Sequence, residues 1–353
     1  MITVYYSDEK LGLQTFNSNQ DIDIYSKIIR KSWIHLTNPT EEEIIRVTKL
    51  TSIPEEMIRT TLDEEERSHI DIDEDVYLIV VDMPVLTRDE DYPDIHRYYT
   101  TPFGIIFNDN FYITTCLKEK ALEFYVTNRL MRNFGTNKHI KLTIQILYKN
   151  ASLFVTHLKQ LDRDSDFVQA RLHKSMKNKE LFELMNLGKS LVYLSTGINA
   201  DNLVLEKIKR LEAFKQYEDD VDLIEDAIIE SRQAMEMCNI HRDILNGTMD
   251  AFASVISNNV NTVMKTLTVV TIVLTIPTLI ASFFGMNVGI PFENDSSGFW
   301  VIVVISILLS IIGALFLIQY TTKVKEKRTY KNKRKKRKWK RVFIVYRIIT
   351  KYN

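Results

Sequence analysis

The sequence predicts an α/β (α+β) cytoplasmic N-terminal domain, a long stalk helix, and two C-terminal transmembrane α-helices. Three observations carry this prediction. Short β-like runs alternate with turn signals as far as about residue 120. Helical periodicity then replaces them, and the pattern entered near Val221 continues to Phe284. Finally, Thr266 to Phe284 and Phe299 to Ile318 contain no charged residue, and each is close to the length needed to cross the roughly 30 Å hydrocarbon core of a bilayer.

In the first part of the chain, Ile2 to Tyr6 and Trp33 to Leu36 read as strands. Asn38-Pro39-Thr40 followed by Glu41, Glu42 and Glu43 is a helix start, with a polar cap and acids in the first turn. Ser52 to Glu56 is a second start. Ser68 to Asp73 and Val76 to Pro84 are expected to pair. Phe103 to Phe107 and Phe111 to Thr115 flank Asn108-Asp109-Asn110, residue types that suit a hairpin turn. The sheet should be antiparallel or mixed.

Helices are expected over Ala121 to Asn133 and Lys141 to His173, the latter burying Leu142, Ile146, Leu147, Phe154, Leu158 and Leu161. Leu181 to Thr196 continues the pattern. Gly197 and Asn199 then mark a break, and Asn202 to about Tyr217 forms another helix. Glu218-Asp219-Asp220 caps a helix of more than 60 residues that runs from Val221 through the membrane. The expected organisation is a cytoplasmic α/β domain (1–135), a helical region that includes the start of the stalk (136–246), and a pore-lining stalk and first span (247–287, membrane part 266–284). A short outer loop (285–298), the second span (299–320) and a basic tail (321–353) complete it.

The first span carries an inverted pattern. Read in heptads from Gly247, its seam is Gly247, Asp250, Ser254, Ser257, Asn261, Met264, Thr268, Thr271, Thr275, Thr278, Ser282 and Gly285. A core seam would place Leu, Ile or Val there. Hydroxyls sustained over five turns suit water better than lipid or a partner helix, so several copies of this helix are expected to surround a pore. The alternative is that each hydroxyl simply bonds back to its own helix. Met264 and Leu267, the apolar residues nearest that seam at the cytoplasmic edge, are candidates for a dewetting gate. Asn261 and Asp250 would form further cation-attracting rings.

A formal net charge of zero conceals an uneven distribution. Residues 323–353 hold 15 Lys or Arg and one acid, whereas residues 1–322 hold 31 basic and 45 acidic residues. The basic run after the second span, with Lys265 before the first, places both termini in the cytoplasm. Glu293 and Asp295 then lie in the outer loop, where they attract cations. The tail is expected to meet anionic lipid headgroups rather than nucleic acid. The two cysteines have no CxxC or Cys/His spacing, the start lacks a secretory pattern, and no Walker loop, dinucleotide glycine pattern or His-Glu-x-x-His is present. An enzyme and an organic cofactor are not expected.

Ser257-Asn258, Asn261, Met264-Lys265, Leu267-Thr268, Pro277 and Phe284-Gly285-Met286-Asn287 together resemble the CorA-type magnesium transporters, as do, more weakly, Trp33, Leu36, Asn38-Pro39-Thr40, Ile53-Pro54 and Arg67. The resemblance implies a homopentameric, funnel-shaped channel in the plasma membrane with Gly285-Met286-Asn287 as outer selectivity ring. It also implies Mg²⁺, with Co²⁺ and Ni²⁺ as further cargo, as transported and regulatory ion. Asp226, Asp89, Glu90 and Asp91 are the candidates for intersubunit regulatory sites, against the plainer reading of a solvated acidic surface. Thr275 stands where relatives often carry methionine, and Phe284 where tyrosine is common. A zinc or other transition-metal transporter of the same superfamily, and a membrane-anchored scaffold or sensor without flux, are the competing readings.

Overall fold

A computed structural model describes residues 1–8, 12–17, 23–88, 96–118, 136–175, 178–286, 299–316 and 319. It divides into two compact units, residues 1–250 and 251–353. The expected helix over Ala121 to Asn133 lies outside the described residues.

The first unit is built on a seven-stranded sheet: β1 (Ile2–Asp8), β2 (Gly12–Asn17), β3 (Trp33–Thr37), β4 (His69–Asp73), β5 (Val76–Arg88), β6 (His96–Phe107) and β7 (Tyr112–Cys116). The order is β2-β1-β3-β7-β6-β5-β4, and every pairing is antiparallel except β3 with β7. The mixed sheet expected from the sequence is therefore present. Strand alternation divides its side chains between two cores. Leu78, Val80, Ile106 and Ile113 face helices α1 (Glu41–Thr51) and α2 (Glu55–Thr60), whereas Ile79, Val81, Ile105 and Phe107 face α3 (His139–Ser175) and α4 (Asn178–Ile208). Each fully buried Ile or Leu contributes about 1.5–3 kcal/mol.

The first helix start is a capping box: Glu43 N–H donates to Thr40 Oγ1 (3.3 Å), and Thr40 N–H donates to Glu43 Oε2 (2.9 Å). Arg59 pairs with Glu41 and Glu55, which fastens α2 to α1. In the β6–β7 turn, Asn108 Oδ1 accepts from the backbone N–H of Asn110 and Phe111, both at 2.9 Å. Several buried polar groups of the sheet are paired. Trp33 Nε1 donates to Thr114 Oγ1 (2.7 Å), which lies 2.8 Å from His35 Nδ1. Burial pushes the His35 imidazole down to about 3, so the ring is neutral. The cysteines are free and buried, and burial raises Cys116 to about 11 and Cys238 to about 12, which keeps both as thiols.

Three expectations are corrected. β5 and β6 do not stop at Pro84 and Phe103: they pair from Tyr77 with Phe107 to Arg88 with His96, whereas β4 and β7 flank them only at the Tyr77 and Phe107 end. The remainder is a two-stranded ribbon, so Pro84 and Pro102 lie on strands that have no ladder on their outer sides, where a missing N–H is harmless. Side chains of α4 satisfy that open edge. Tyr98 N–H donates to Ser190 Oγ (3.1 Å), and Asp82 N–H donates to Asp201 Oδ1 (2.8 Å). Ser68 and Asn150 also donate to the Asp201 carboxylate, which burial and the neighbouring Asp82 charge push well above the usual carboxylate range.

Gly197 and Asn199 do not break a helix, because α4 continues to Ile208. Gly197 is a point of close approach instead. A Cβ there would lie 2.9 Å from Thr100 Cγ2 and 3.0 Å from Asp82 Cβ, so glycine lets the helix lie on the ribbon. Finally, Asn202 to Tyr217 is not a separate helix: residues 202–208 are the end of α4. The chain leaves α4 at Ile208 and forms a short 3₁₀ turn at Glu212–Lys215, which seats the fully buried Phe214 ring 6.3 Å from Tyr77 and 6.5 Å from Phe107.

Candidate functional site: the hydroxyl face of the long helix

Helix α5 (Glu218–Phe284) is a single 67-residue helix with Glu218, Asp219 and Asp220 in its first turn, as the sequence predicts. Helix α6 (Phe299–Phe316) follows, and both are long and apolar enough to cross a membrane. Pro277 lies inside α5 without ending it. A membrane helix tolerates such a proline where neighbouring groups satisfy the freed backbone.

Within the second unit α5 has two distinct faces. Val269, Val273, Ile276, Ile280 and Phe284 are half-buried at helical spacing, while Thr268, Thr271, Thr275, Thr278 and Ser282 are exposed. At about 100° per residue the two sets lie on opposite sides of the helix. The aliphatic side faces α6: a Cβ added at Gly313 would lie 3.0 Å from Ile276 Cδ1, and Ser310 and Ser306, one and two turns earlier on α6, are buried. This seam of small residues permits close helix approach in a membrane. The sequence reading missed it, although Ser306, Ser310 and Gly313 recur at i, i+4 and i+7. Gly313→Leu is therefore expected to force the two spans apart and to lower the yield of assembled protein severalfold. Gly313→Ala should be tolerated, because the obstructing atom is the end of a flexible side chain. Size-exclusion profiles of the two variants check this.

The hydroxyl side has a defined polarity. Thr268, Thr271, Thr275 and Thr278 each donate to the carbonyl one turn earlier, at 2.7–2.9 Å. The back-bonding considered as an alternative for these residues is thus present, yet it leaves each oxygen with free lone pairs. With their protons turned inward, these four threonines offer acceptors and no donors. Asp250, Asn261, Met264 and Leu267 are exposed on the same helix, the last two by 55% and 58%. At its end Gly285 N–H donates to Ala281 O (2.9 Å) and Met286 N–H to Phe283 O (3.4 Å). A Cβ at Gly285 would lie 3.3 Å from Ala281 O, which accounts for glycine at this turn.

The other candidates are not gathered into one place. Asp226 is exposed on the first part of α5. Among the described residues no group of three or more His, Cys, Asp or Glu is arranged to hold a metal. Asn287, Asp89, Glu90, Asp91, Glu293 and Asp295 lie outside the described residues.

The family model of the CorA-like Mg²⁺ transporter protein matches residues 30–328. The chain belongs to this family. Two cobalt/magnesium transport proteins CorA are similar to it: one from Methanocaldococcus jannaschii, 26% identical over 80% of this chain and 88% of its own, and one from Thermotoga maritima, 22% identical over 83% and 82%. The solved structure of the M. jannaschii CorA magnesium transporter superposes with a TM-score of 0.72 at 23% identity, covering 90% of this chain and 96% of that one. The fold of this chain, a sheet-containing N-terminal domain followed by a long helix and two candidate spans, is therefore a CorA fold. CorA family membership makes it a divalent-cation transporter of the membrane rather than an enzyme.

Proposed function

We propose that the chain forms a homopentameric plasma-membrane channel for Mg²⁺, and also for Co²⁺ and Ni²⁺. In this reading α5 lines the pore, both termini are cytoplasmic, and Gly285-Met286-Asn287 forms the outer selectivity ring. The single observation that carries the proposal is the acceptor-only hydroxyl face of α5, turned away from its packing partner α6. Mg²⁺ sheds its six waters reluctantly. A hydrated cation presents water protons outward, and a wall of acceptors receives them without stripping the shell. No carboxylate lies between Lys265 and Glu293 to do the stripping. Thr268, Thr271, Thr275, Thr278 and Ser282 accept along the pore, and the Asn287 carbonyl with the backbone carbonyls freed at the helix end accepts at its mouth. Glu293 and Asp295 concentrate cations at the entrance.

Met264 and Leu267 close the pore by dewetting, and Asn261 and Asp250 attract the ion below them. Cytoplasmic Mg²⁺, bound between acidic surfaces that include Asp226, Asp89, Glu90 and Asp91, relieves intersubunit repulsion and favours the closed state. The basic tail rests on anionic headgroups. Purified protein in liposomes tests the reading. Mg²⁺ flux is expected, with Co²⁺ and Ni²⁺ following, and it should fall severalfold as Mg²⁺ on the cytoplasmic side rises to millimolar. Zn²⁺ flux without Mg²⁺ flux would favour a transition-metal transporter, and no flux of any ion would favour a scaffold.

A further inference from the structure

Helix α5 is held in the first unit by one face, on which Ile224, Ala227, Ala234, Cys238 and Leu245 are buried. An ionisable side chain also looks inward from this helix at its middle. His241 has only 14% of its side chain exposed, and its Nδ1 lies 3.1 Å from Asp162 Oδ1 on α3. Beside the ring is a small cleft lined by Leu161, Asp162, Ser165, Leu191, Ile244 and Leu245. His241 Nε2 is buried with no hydrogen-bond partner among the described residues.

We propose that His241 and Asp162 form a proton-operated clasp that sets how firmly the long helix is held against α3. In the neutral ring the pairing with a carboxylate requires the proton on Nδ1, leaving Nε2 as a bare acceptor in the cleft. Protonation turns the hydrogen bond into a charge-assisted one and makes Nε2 a donor. The groups facing the ring are few. From α3 come Leu161, Asp162 and Ser165, from α4 Leu191, and from α5 itself Ile244 and Leu245, so among the described residues Asp162 is the one charged group lining the cleft with the histidine. The sign follows directly: the clasp tightens when the ring takes up a proton and loosens when it gives the proton up. Because the same helix continues into the hydroxyl face, the clasp would link cytoplasmic pH to the pore. That consequence rests on the proposed channel function, whereas the clasp itself does not.

Hydrogen exchange of the full-length protein in detergent, corrected for intrinsic rates, tests the clasp at pH 5.5 and pH 8. The half-exposed Asp162 tolerates Asp162→Asn without loss of fold. Protection of the α5 amides around Cys238 to Leu245 is expected to be about two- to fivefold greater in the native protein than in Asp162→Asn at pH 5.5, and equal at pH 8. His241→Gln should abolish the pH-dependent difference. Equal protection at both pH values, or a difference that survives in His241→Gln, overturns the proposal. Because exchange is read without flux, a protein that transports nothing would still report on the clasp.

Discussion

Asn287→Ala is expected to lower Mg²⁺ flux by about a hundredfold while leaving the assembled protein intact. The proposed outer ring receives one amide carbonyl from each copy, and each such hydrogen bond contributes about 1 kcal/mol. A few of them lost together in the step that commits the ion produce a loss of that size, since each 1.4 kcal/mol is tenfold. Assembly should survive, because the two spans pack through the Ile276 and Gly313 seam, which the substitution leaves unchanged. Asn287→Gln keeps the carbonyl and displaces it by one methylene, so it should retain more flux than alanine. Dye-reported uptake into liposomes, with size exclusion to establish assembly, checks both variants. Full flux in a correctly assembled alanine variant would remove the ring from the mechanism.

The largest effect on stability is expected from Gly104→Ala. Gly104 sits in β6 between Val80 and Thr115 of the neighbouring strands. A Cβ there would lie 2.3 Å from Thr61 Cγ2 and 2.4 Å from both Thr61 Cβ and Thr115 Oγ1. Neither obstacle is a flexible chain end. Thr61 is fully buried and its hydroxyl donates to Ile58 O (2.7 Å), while β6 is fixed on both sides by its ladders. Separation of α2 from the sheet or a shift of the strand should cost about 3 kcal/mol or more. Gly247 provides the contrast. Nothing lies within 4 Å of its Cβ position, and it sits inside α5, so Gly247→Ala should stabilise by about 0.5–1 kcal/mol. Thermal unfolding of the two full-length variants should shift in opposite directions, and a common direction would contradict the packing described around Gly104.

Much of this architecture is legible in the sequence where a local rule and the tertiary environment agree. The Thr40 and Glu43 pair, the Asn108 turn and the uncharged spans are such places, because caps, turns and membrane helices depend on residues close in sequence. The ribbon beyond Pro84 was hidden, since proline reads as a strand terminator unless the outer edge is known to be unpaired. Gly197 was misread for a related reason: a glycine that ends a helix and a glycine that lets a helix touch a sheet look alike until the sheet is present. In the candidate site, the hydroxyl face was visible as an inverted heptad, but its donor direction was not, because side-chain rotamers have no trace in composition. The Ser306, Ser310 and Gly313 seam was overlooked because attention to the apolar content of a span passes over its small residues.

The unbroken course of α5 from Glu218 to Phe284 constrains how such a chain can change during evolution. A residue gained or lost in a surface loop is absorbed locally, but one gained within a continuous helix turns every later side chain by about 100° relative to the earlier turns. A single-residue insertion between His241 and Thr268 would thus swing the hydroxyls away from the direction set by the buried residues before them. Substitutions can accumulate along this stretch far more readily than insertions or deletions, and a tolerated length change should come as whole turns, in steps such as seven or eleven residues.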